Sequence, residues 1–73
     1  MTRRLDLRGR KSPYPIVRIA KVVMKGSPGD RFEFLVSDKA SVDDVYGWVE
    51  RTGNVLRRVD KKDGYWLIEI ERR

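Results

Sequence analysis

Ser12 lies between Gly9-Arg10-Lys11 and Pro13-Tyr14-Pro15, where residue types and spacing best fit chemistry. Before it, Leu5-Asp6-Leu7-Arg8 alternates apolar and polar residues, as a half-buried strand does. Gly9 suits a turn that needs positive φ. Ser-Pro-x-Pro then opens a helix. Ser12 is predicted at its N-cap and Pro13 at its first position, where a missing N–H costs nothing. A side chain at such a helix end meets unsatisfied N–H groups and the positive end of the dipole, which favour an anion or a thiolate. The neutral hydroxyl of Ser12 gains only a capping hydrogen bond. Hydrolysis by Ser12 is disfavoured, because the chain has no His to activate it and only a lysine such as Lys11 could act as base.

Seventy-three residues predict one domain, 1–73, with a small core. An apolar content of 40%, with seven aromatic residues, is enough for a folded globule. No stretch approaches a transmembrane span, and the N-terminal arginines are not followed by the apolar run of a secretory signal. The absence of Cys and His excludes disulfides, thiolate chemistry and the usual zinc sites, so no metal and no cofactor is predicted. Absent Gln, a single Asn and 38% charged residues lean toward a heat-adapted composition. The net charge of +6 is uneven: residues 1–25 carry +7, residues 26–52 carry −3 and residues 53–73 carry +2. The basic end coincides with the Ser12 segment, and its field favours an anionic partner or an acidic protein surface.

The elements that must position Ser12 follow from periodicity. A helix is predicted from Pro13 to about Lys25, with Ile16, Ile19, Ala20 and Val23 on one face and Arg18, Lys21 and Lys25 off it. Gly26-Ser27-Pro28-Gly29 ends it. Arg31–Val36 alternates as a strand, with Phe32, Phe34 and Val36 on one side. A second helix follows Ser37-Asp38 and ends near Thr52. Its inner face carries Val42, Val45 and Val49, Asp43 and Asp44 are assigned to its first turn, and Gly53 is its C-terminal cap. Strands Val55–Val59 and Tyr65–Glu71 flank a Lys61-Lys62-Asp63-Gly64 hairpin. The order β-α-β-α-β-β predicts an α/β two-layer sandwich, with two helices on one face of a four-stranded mixed sheet. On the other face Leu35, Leu56, Tyr65 and Leu67 are expected to be only partly covered.

The chain resembles the TusA/SirA family of sulfur-carrier proteins. The family string Leu-Asp-x-x-Gly-x-x-Cys-Pro-x-Pro is matched at Leu5, Asp6, Gly9, Pro13 and Pro15, with Ser12 in the place of the cysteine. The resemblance continues through Pro28-Gly29, Asp38, Ala40, Trp48 and Gly53. It implies a persulfide relay whose cysteine accepts sulfane sulfur from a cysteine desulfurase or another carrier. That sulfur then passes on for tRNA thiolation, molybdenum-cofactor maturation or sulfur metabolism. With the lack of an export signal, the resemblance also implies a cytoplasmic location.

Two departures stand out. Ser12 cannot carry a persulfide, so the chain as written is inactive as a relay. The family's acidic pair followed by proline appears as Ser37-Asp38-Lys39, where Asp38 suits a helix cap. Ser12 is either a deliberate Cys→Ser exchange, favoured by the intact neighbours, or the mark of a natural relative that has lost the relay. Arg10, Lys11 and Arg18 are surface charges and candidate partner contacts, whereas Trp48 and Trp66 are expected to pack. Two other readings compete: a regulatory protein-interaction domain, and an RNA- or tRNA-binding module. The latter would use Arg3, Arg4, Arg8, Arg10 and Lys11 with Arg57, Arg58, Lys61 and Lys62. Against it, no aromatics interleave with these bases in a recognised RNA motif.

Overall fold

The alternation of Arg31–Val36 sets the plane of the molecule: Phe32, Phe34 and Val36 are all fully buried on one side of the strand. A computed structural model describes residues 2–73. It orders them as β1 (Thr2–Asp6), α1 (Tyr14–Met24), β2 (Arg31–Val36), α2 (Lys39–Thr52), β3 (Val55–Lys61) and β4 (Trp66–Glu71). The sheet order is β1-β2-β4-β3. β1 runs parallel to β2, with Leu5 opposite Phe34, while β4 is antiparallel to both of its neighbours. A parallel pair needs a crossover, and α1 supplies it. Both helices pack on the face that carries Phe32, Phe34, Val36, Ile68 and Ile70, giving the expected two-layer sandwich.

From α1 the core receives Pro15, Ile19 and Val23, with Ile16, Ala20 and Val22 at its margin. From α2 it receives Ser41, Val42, Val45 and Trp48, with Val49 half-buried. Trp48 thus packs, as does the half-buried Trp66, whose ring also lies under the Lys61 ammonium at 4.5 Å. Each large apolar side chain removed from water contributes about 1.5–3 kcal/mol. Gly53 caps α2 in the left-handed region, with φ 78°.

Four local expectations are corrected. The α1 helix begins at Tyr14, and Pro13 rather than Ser12 occupies its N-cap, without a side-chain capping bond. Pro13 and Pro15 lack N–H groups, and the Tyr14 N–H donates to the Lys11 carbonyl at 2.9 Å, so little is left for a cap to satisfy. Asp43 and Asp44 lie beyond the first turn of α2, which holds no acid, because that helix starts at Lys39. Leu56 faces the core, since it pairs with Ile70; a β-bulge between Leu56 and Arg58 then lets Val59 face the core too, opposite Ile68. Leu35 and Leu67 do lie on the other face, directly opposite one another, yet both are buried.

That face is ionic. Arg4, Glu33, Glu69 and Arg58 lie in one cross-strand row. Arg4 holds Glu33 at 3.0 Å, Arg31 reaches Glu69 and Glu71 at 3.6 and 3.5 Å, Arg57 meets Glu71 at 3.3 Å, and Arg58 meets Asp60 at 3.0 Å. Long charged side chains laid along a sheet shield the apolar residues beside them.

Candidate functional site

Because β1 and β2 are parallel, the segments that leave their C-terminal ends emerge side by side, as is usual for sites in α/β sheets. β4 begins opposite Val36, so the β3–β4 hairpin lies at this end as well. Ser12 belongs to the segment between β1 and α1, and the junction between β2 and α2 holds that segment in place. The Ser37 Oγ accepts the Gly9 N–H at 2.8 Å. The Asp38 carboxylate accepts the Ser12 N–H at 2.8 Å through one oxygen and the Ala40 N–H at 3.2 Å through the other. Asp38 is therefore the N-cap of α2, as expected, and also the anchor of the Ser12 backbone. The Ser12 N–H, followed by the Ala40 N–H and the Lys11 charge, holds the Asp38 carboxyl below the usual carboxylate range.

Asp6 shapes the start of the segment. It accepts the Arg8 N–H and the Arg8 guanidinium at 2.8–3.0 Å, and these bonds draw its carboxyl down to about 2. The Arg8 guanidinium also lies over the Tyr65 ring at 4.9 Å, joining the segment to the hairpin. Gly9 turns the chain at φ 83°, and Leu5 packs at the core margin. Pro15 is buried, Pro13 is exposed, and the Ser12–Pro13 peptide bond is cis.

The Ser12 side chain is half-buried, and its Oγ donates to Asp44 Oδ2 at 2.5 Å. The surroundings of Ser12 thus differ from the positive helix end predicted: among the described residues its two polar partners are the carboxylates of Asp38 and Asp44. Sequence reasoning missed Asp44, treating it as a dipole complement. A signal was present, since Ser41, Asp44 and Trp48 recur at i, i+3, i+7 along the inward side of α2, and both neighbours in that series are buried. Among the described residues the Ser12 hydroxyl bonds to Asp44, and Lys11, considered as a base, makes no hydrogen bond to it.

The basic residues divide. Arg4, Arg8, Arg57 and Arg58 are held by acids, which breaks up the patch considered for nucleic acid. Arg10 lies over the Tyr14 ring at 4.9 Å, and Lys11 is exposed. Arg18 is half-buried, with a buried Nε that has no hydrogen-bond partner among the described residues. Beside these bases, α1 exposes Tyr14, Val17 and Met24. Two surface clefts lie elsewhere. One of about 200 Å³ is lined by Arg3, Arg4, Leu5, Val22, Phe32 and Phe34; one of about 450 Å³ lies among Met24, Thr52, Asn54, Arg72 and Arg73.

Residues 3–72 match the family model described as sulfurtransferase TusA. The chain belongs to the TusA family. A relative from Archaeoglobus fulgidus, named "Putative sulfur carrier protein", is 32% identical over 68 residues, 93% of either chain. Another of that name from Neisseria meningitidis serogroup A is 30% identical, over 92% of this chain and 90% of its own. A third, from Aquifex aeolicus, is 30% identical over 96% of this chain but only 36% of its own length. The crystal structure of a SirA-like protein from Desulfitobacterium hafniense superposes with a TM-score of 0.81 at 23% identity, over 94% of this chain and 95% of that one. That likeness shows the shared fold. No described helix is long and apolar enough to cross a membrane.

Proposed function

We propose that this chain is a TusA-type sulfur carrier in which Ser12 holds the position of the persulfide cysteine, so that it retains the carrier's site and docking face but cannot load sulfur. The observation that carries this reading is the position of Ser12. It is anchored through its own N–H by Asp38, beside the exposed start of α1, and it lies on neither of the two clefts described. Ser12 is half-buried, so a sulfur atom in its place is partly open to solvent at the start of α1, where another protein can reach it. Arg10, Lys11 and Arg18, with Tyr14 and Val17, form the adjoining docking surface for a cysteine desulfurase or another relay protein, and a tRNA-modifying enzyme is a candidate acceptor. Leu5, Asp6, Gly9, Pro13, Pro15 and Asp38 set the geometry of the segment.

The test is Ser12→Cys incubated with a desulfurase that bears a cysteine persulfide. The introduced thiolate attacks the outer sulfur of the donor. The donor's S–S bond breaks, its cysteine leaves as a thiolate, and a new S–S bond forms at position 12. The expected result is a mass gain of one sulfur atom that a reductant reverses and that the Ser12 protein does not show. No gain in Ser12→Cys overturns the carrier reading.

A further inference from the structure

Among the described residues Asp44 is the one side chain hydrogen-bonded to the Ser12 hydroxyl, and the carrier reading gives it no task. We infer that Asp44 governs protonation at position 12: its carboxylate holds the side chain there as a hydrogen-bond donor and disfavours an anion in the same place. The inference deepens the proposed function and rests on it for its biological meaning.

The argument is geometric. Both groups are half-buried, so water screens their interaction only in part. A carboxylate has no proton to give, so the 2.5 Å contact requires a donor on residue 12. A hydroxyl or a thiol meets that requirement, whereas a thiolate would place two negative charges side by side. The other charged groups nearby are Asp38, which is occupied by the Ser12 and Ala40 N–H groups, the cations Arg10 and Lys11 of the same segment, and on α1 the half-buried Arg18, which makes no ion pair among the described residues. On α2, Lys39 is engaged by Asp43 at 3.2 Å. At the hairpin end, Lys61 lies over Trp66, while Arg8 is held by Asp6 and Tyr65. Among the described residues no cation forms an ion pair with Asp44. A carrier thiol at position 12 is therefore kept protonated at rest, with its reactivity restrained until Asp44 is displaced or neutralised.

The experiment compares Ser12→Cys with Ser12→Cys/Asp44→Asn, following alkylation by iodoacetamide across pH along with thiolate ultraviolet absorbance. The expected result is a titration midpoint lower by about one pH unit in the double variant, the size of a single partly screened charge contact. Ser12→Cys/Asp44→Glu should restore the higher midpoint, and thermal denaturation checks that each variant is folded. If Asp44→Asn will not fold, Asp44→Ser serves in its place. A midpoint that stays put or rises on removal of the charge overturns the inference. The titration needs no sulfur donor, so its failure is distinct from a failure to accept sulfur.

Discussion

At the scale of single residues, one carboxylate does two structural jobs. Asp38 caps α2 and holds the Ser12 N–H, so Asp38→Ala should lower the melting temperature by a few degrees near neutrality and loosen the Ser12 segment in hydrogen exchange. The effect depends on pH in a definite direction. The Asp38 carboxyl is held below its ordinary value of 3.8, so its contribution is complete above that value and is lost as the pH falls through the lowered one. Melting curves of the parent and Asp38→Ala should therefore converge in acid; curves that stay separated would contradict the assignment. Asp6 behaves likewise between 3.8 and about 2, though its exposed pairing with Arg8 makes the effect small.

At the scale of elements, the turn after α1 is defined by close approach. A Cβ on Gly26 would lie 2.6 Å from the Cζ of Phe32, a fully buried ring. Gly26→Ala must push that ring or the backbone aside, at a cost of about 1–3 kcal/mol in denaturant unfolding. Gly9 is a different case: nothing lies within 4 Å of a Cβ there, and only its φ of 83° resists substitution. The helices themselves were legible. Ile19 and Val23, and Val42 and Val45, stand at the 3.6-residue period and are buried as that period requires. The start of α1 was less so, because Ser12 has a preference for capping that its actual partner, Asp44 on another helix, outcompetes.

At the scale of the whole molecule, the charge excess of the sequence is largely reorganised. The open sheet face carries two sets of ion pairs: Arg4, Glu33, Arg58 and Asp60 in one, and Arg31, Glu69, Glu71 and Arg57 in the other. Glu33 touches both Arg4 and Arg58, so Glu33→Gln should cost up to about 1 kcal/mol at low salt. Thermal unfolding at low and high ionic strength checks this, because screening should shrink the difference from the parent. The bases left outside these pairs include Arg10, Lys11 and Arg18, close to Ser12, which is where a partner with an acidic surface would be steered.

Period, turn residues and charge are local properties, and they determined the order of elements, the core faces of both helices and of β2, the C-terminal cap at Gly53 and the cap at Asp38. The string from Leu5 to Pro15 was enough to relate the chain to its family and to point to Ser12 as a candidate site. What surrounds Ser12 was decided by tertiary structure alone. Asp38 and Asp44 lie 26 and 32 residues away in sequence, and only the parallel pairing of β1 and β2 brings the start of α2 against the Ser12 segment. The same holds for Leu56, whose side depends on its register against β4, and for the arginines, whose partners lie on neighbouring strands. A pattern along one strand or helix says which side chains share a face; it carries no information about which distant charge will meet them there.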